Sequence, residues 1–205
     1  MPREMKGRSP QMPKTSERVS LVEALEEIYN LFNKWGLSTK DYILVDEFAY
    51  VLQGYDVKGT EVESGHLDVY VNPEPLPWEV KKERSVIPPR DSIYMNDWIN
   101  FMQRTGYSLD MLRAKPEIFK VPSVNHTLPN GNFIQMMRAY EMTEAFVQQT
   151  VMHYSLEEVG KEKIVEWVDK LEIIRKAAEK KKDSKLAKLC EDRLVESRKR
   201  WEGTL

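Results

Sequence analysis

Residues 42–54, YILVDEFAYVLQG, and residues 66–71, HLDVYV, are the stretch on which the fold turns. Tyr42-Ile43-Leu44-Val45 is a short β-rich run behind Asp41, and Phe48 to Leu52 predicts a brief helix closing at Gly54. His66 to Val71 is the clearest strand signal in the chain, with Gly65 before it and Asn72-Pro73 after it. Alternation along a strand sends Leu67, Val69 and Val71 to the core. It leaves His66, Asp68 and Tyr70 together on the other face.

Upstream, Ser20 and Glu23 form a capping-box pattern. Leu21, Leu25, Ile28, Phe32 and Trp35 follow at helical spacing, and Gly36 ends the helix. Downstream, residues 72–90 hold five of the eleven prolines and read as a long loop. Asp91 or Ser92 caps a helix carrying Trp98, Phe101 and Met102 that ends near Gly106. Glu117 to Val121 reads as a weaker strand. Asn130-Gly131 signals a hairpin between Val124–Leu128 and Phe133–Met137. From about Tyr140 the chain reads as helix almost to its end. Ile164, Trp167, Val168, Leu171 and Ile174 form one apolar face, Leu186, Leu189 and Leu194 form a second, and an antiparallel pair buries both. The expected organisation is a flexible basic tail (1–17), a sheet domain (18–139) and a helical part (140–205). The fold class is α+β, a small mixed sheet flanked by helices with a helical C-terminal part.

Composition narrows the function classes. Hydrophobic residues make up 41% of the 205 and the net charge is −2, enough apolar material for a core and no global bias toward a partner. No run of 18 apolar residues exists to suggest a membrane span. The basic N-terminus lacks the apolar segment of a secretory signal. The lone Cys190 excludes an intrachain disulfide and reads as a packed thiol. With it, a cytoplasmic location is expected. The charge is unevenly spread: +3 over residues 1–18, −9 over 19–160 and +4 over 161–205. Basic ends on an acidic body can mark a nucleic-acid contact, and mixed-sign helices are also common as solvated faces. No Walker loop, dinucleotide fingerprint or nucleophile elbow is present.

The run from Tyr42 to Val71 resembles the nucleotidyltransferase superfamily of the DNA polymerase beta type, in its minimal and abortive-infection-toxin-like branch. The resemblance covers roughly residues 20–175. It implies a first strand ending in a glycine-rich turn, a short helix closing on a glycine, and a strand bearing an Asp-x-Asp pair. Leu44-Val45, Phe48–Gly54 and Asp68 take those places, with Asp68 as the first acid. The chemistry implied is metal-dependent transfer of a nucleotidyl group, with Mg²⁺ or Mn²⁺ bridging the triphosphate.

Two positions depart from that pattern. Tyr70 stands at the second acid, and a phenol neutral at pH 7 is a poor Mg²⁺ ligand. Asp46-Glu47 replaces the glycine turn that would admit phosphates. For the carboxylate of the third strand, Glu117 is the candidate. Asp68, Glu63 and His66 are the candidate metal ligands, with His66-x-Asp68 as a two-point chelate better suited to Mn²⁺ or Zn²⁺. Glu47, Lys58 and Thr60 are the candidate nucleotide contacts.

Three functions follow as expectations. The first is a nucleotidyltransferase-fold protein with an eroded site, acting in binding or regulation. The second is an active enzyme transferring NMP to an RNA, protein or small-molecule hydroxyl, with Asp68 catalytic. The third is nucleic-acid binding through the basic ends. No membrane partner is expected.

Overall fold

The computed structural model describes residues 18–57, 65–80, 85–150, 153–154 and 156–201. The expected tail 1–17 lies outside them. In chain order the elements are α1 (Leu21–Lys34), β1 (Tyr42–Val45), α2 (Asp46–Leu52), β2 (His66–Val71), α3 (Ile93–Thr105) and β3 (Ser108–Arg113). A 3-10 turn (Pro116–Lys120) then precedes β4 (Ser123–Thr127), β5 (Phe133–Met137), α4 (Ala139–Gln149), α5 (Leu156–Val159), α6 (Lys161–Lys181) and α7 (Ser184–Arg200). The five strands form one mixed sheet in the order β3-β2-β1-β5-β4. Strand β1 runs antiparallel to β2 and parallel to β5, while β2 runs parallel to β3. The α+β class and the helical C-terminal part stand as expected.

Local chemistry accounts for the element ends. Ser20 and Glu23 close a reciprocal capping box, with Ser20 N–H donating to Glu23 Oε2 at 2.9 Å and Glu23 N–H to Ser20 Oγ at 3.3 Å. Ser92 caps α3 by accepting from Met95 N–H at 3.1 Å, and Gly106 ends it at φ 74°. At the hairpin, Gly131 takes φ 84° between β4 and β5. The expected strand at Glu117–Val121 is corrected. Pro116, at the start of the 3-10 turn, fixes its own φ and has no N–H for a ladder. The third strand is instead Ser108–Arg113, where Leu109 and Met111 are buried.

Cross-strand partners share a face, so the register divides the sheet into two sides. Tyr42, Leu44, Leu67, Val69, Val71, Leu109 and Met111 form the inner side. Helix α1 covers it, with the Phe32 ring 4.6 Å from Tyr42 in edge contact. Helix α3 joins through Trp98 Nε1–H, which donates to Leu109 O at 3.0 Å. Val45, Asp68 and Tyr70 lie on the opposite side, against α4 and α6.

The C-terminal helices belong to the same core. Ile174, Ala177, Ala178, Leu186, Leu189 and Cys190 pack in one cluster with the sheet residues. A smaller cluster of Val147, Ile164, Trp167, Leu171, Leu194 and Trp201 joins α4, α6 and α7. Polar ties reinforce the junction: Tyr55 Oη donates to Asp183 Oδ2 at 2.7 Å, and Tyr50 Oη lies 2.7 Å from Thr143 Oγ1. Among the described residues no helix is long and apolar enough to cross a membrane.

Candidate functional site

The outer face of the sheet carries the chemistry. Strand β1 ends at Val45, which sits opposite Asp68 of β2, and Asp68 sits opposite Asp110 of β3. Asp46 opens α2 immediately after β1. It holds φ 65°, a left-handed backbone conformation that favours glycine and that few side chains adopt. Three carboxyls from adjacent elements are thereby brought to one edge.

Lys170, from α6, completes the arrangement. Its Nζ donates to Asp46 Oδ1 at 2.8 Å and stands 5.4 Å from the centre of the Phe146 ring. Both partners of the ion pair are largely shielded, with 23% of the lysine and 31% of the aspartate side chain exposed. Among the described residues, Asp68 has no ion-pair partner. Burial pushes its carboxyl up to about 7, the charges of Asp46 and Asp110 and a hydrogen bond with Asp46 add to that rise, and Lys170 opposes it. Up to about neutral pH, Asp68 therefore holds its proton and is hydrogen-bonded to Asp46, beside the Lys170 ammonium.

His66 lies at the open end of the same face. Its Nδ1 is 2.6 Å from Ser108 Oγ and 3.6 Å from Asp110 Oδ2. Both contacts meet one ring nitrogen, so the group is not a relay in which a carboxylate orients one nitrogen while the other serves a hydroxyl. Between this face and α4 and α6 runs a cleft of about 170 Å³ whose walls include Asp46, Tyr50, Asp68, Tyr70, Phe146 and Lys170. Ligand pockets for drug-sized molecules run to about 300–1,000 Å³, so the cleft is sized for a small group.

The sequence-derived candidates fare unevenly. Asp68 and Tyr70 line the cleft as the alternation predicts. His66 shares their face but bonds to Ser108 beside the cleft. Glu47 follows Asp46 in the first turn of α2 and does not line the cleft. Lys58, Thr60 and Glu63 lie outside the described residues. Glu117 is corrected as the third-strand carboxylate: it sits exposed on the 3-10 turn beyond β3, and Asp110 occupies the place beside Asp68. Lys170 was not expected, and no local motif marks it, because Asp46 is 124 residues away.

Among the described residues, the donor set does not fit the Mg²⁺ or Mn²⁺ implied by the resemblance. A hard dication needs several anionic oxygens free to face it. Here Asp46 is engaged by an ammonium and Asp68 is hydrogen-bonded to Asp46. Among the described residues, no three His, Cys, Asp or Glu side chains are grouped to hold a metal ion.

No family model, curated protein or solved structure matches the chain.

Proposed function

We propose that this chain is a nucleotidyltransferase-fold protein whose catalytic cleft has become a binding or regulatory site. One observation carries the proposal: the Asp46 carboxylate, held 2.8 Å from the Lys170 ammonium, occupies the turn where the resemblance implies glycine and an approaching triphosphate. The backbone at Asp46 supports the relation, since it holds a glycine-favoured φ of 65° although the residue is aspartate. Tyr70 in place of the second acid points the same way.

The test is nucleotidyl transfer by the full chain. Labelled nucleoside triphosphates are supplied with Mg²⁺ or Mn²⁺ and with RNA, protein and small-molecule acceptors, using wild type and Asp68→Ala. The expected result is no label above background in either protein. Transfer by wild type that disappears in the variant would overturn the proposal. It would establish instead the active enzyme, an alternative favoured by the side-by-side placement of Asp68 and Asp110 on parallel strands. Three of the C-terminal cations speak against the nucleic-acid alternative. Lys180 pairs with Asp56 at 2.6 Å, Lys181 donates to Gln53 O and Lys185 stands 4.2 Å from the Tyr140 ring centre, so these cations are used within the fold.

A further inference from the structure

We propose that Lys170 is the resident cation of the cleft, an internal ammonium that closes the acidic edge of the sheet to divalent metal ions. The inference rests on the binding-site reading above and deepens it by naming the residue that excludes the metal.

Position and rigidity both support the assignment. The ammonium is placed 2.8 Å from Asp46, the turn residue between β1 and α2, and both line the same cleft as Asp68. A dication seeking those oxygens meets a fixed positive charge at contact range, where like charges repel strongly in a partly desolvated site. The lysine is not a loose surface side chain. Trp167 and Leu171, flanking it on α6, are buried in the helical cluster with Leu194 of α7. Ile174, one turn further on, lines the cleft and is itself buried. The Phe146 ring at 5.4 Å supplies the other side of the ammonium's seat. Withdrawing Lys170 from Asp46 on its own stem would expose the Asp46–Asp68 pair without its counter-ion. Moving the helix would disturb two packed clusters. The C-terminal helices thus complete the site electrically as well as covering it.

The experiment measures Mn²⁺ binding by calorimetry, with free Mn²⁺ followed by electron paramagnetic resonance. Wild type, Lys170→Met, Lys170→Arg and the double variant Lys170→Met/Asp68→Asn are compared at pH 8, with Lys170→Gln as a second neutral variant should the methionine disturb folding. The expected result is at least tenfold tighter Mn²⁺ binding in a neutral variant than in wild type. Lys170→Arg should match wild type, and the gain should vanish in the double variant. Equal affinity in wild type and both neutral variants would overturn the proposal, as would a gain in Lys170→Arg or one that survives Asp68→Asn. Failure here is distinguishable from failure of the proposed function, which is decided by nucleotidyl transfer in wild type and not by metal affinity in the variants.

Discussion

Asp68→Asn should stabilise the protein most at pH 8 and by progressively less as the pH falls toward about 4. In the folded chain the carboxyl is raised from 3.8 to about 7 by burial and by Asp46 and Asp110, against the pull of Lys170. The folded state therefore keeps its proton between about pH 4 and 7, where the unfolded chain releases it. Stability falls as pH rises through that window and levels off above about 7. At about 1.4 kcal/mol per pH unit the full displacement amounts to a ceiling of about 4 kcal/mol. Because Asp68 is only half-buried, solvent screens part of its charge, and about 2 kcal/mol is the expected gain, or about 4–8 °C in Tm for a chain of this size. Asparagine can donate an N–H to Asp46 in place of the protonated Asp68 carboxyl, so the hydrogen bond is kept while the buried charge is lost. Thermal melts and urea titrations of both proteins at pH 5, 6, 7 and 8 give the answer. A difference between them that stays constant from pH 5 to 8 would refute a raised Asp68.

Other perturbations test the frame around the site. Gly106→Ala should cost more than about 1 kcal/mol in urea denaturation, because the residue holds a left-handed φ. Its new Cβ would also lie 2.8 Å from Arg18 Cγ and 3.1 Å from Arg18 Cα. Trp35→Ala should cost about 3–5 kcal/mol and flatten the near-ultraviolet circular dichroism. Its ring packs against Phe32 at 5.7 Å and Trp78 at 5.2 Å. Cys190 is fully buried and its thiol is pushed up to about 12, mainly by burial. It should resist a thiol reagent at pH 8 in the native state and react at once in urea.

Elements whose signal is local were legible in the sequence. Ser20 and Glu23 lie three residues apart, so their capping box needs only its own turn of helix. The alternation in HLDVYV placed Asp68 and Tyr70 on the outer face before any partner strand was known, and burial along β2 follows that pattern. The third strand was missed for a physical reason. SLDMLR has no β-branched residue and only a short alternation, and its extended form comes from the parallel ladder with β2, including Asp68 opposite Asp110. Glu117 misled because a short apolar run with Ile118 and Phe119 resembles a strand until the proline before it is weighed.

By itself, the sequence determined the α+β class, the helix caps, the hairpin and the face on which Asp68 would lie. Each of these depends on contacts between near neighbours or on a strand's fixed period of two. Tertiary structure decided what that face can do. Asp46, Asp68, Asp110 and Lys170 come from four elements spread over more than half the chain, and only their packing sets one charge against another. Coulomb interactions follow distance in space and the surrounding dielectric. The sequence showed an acidic stretch, and the fold gave it a lysine.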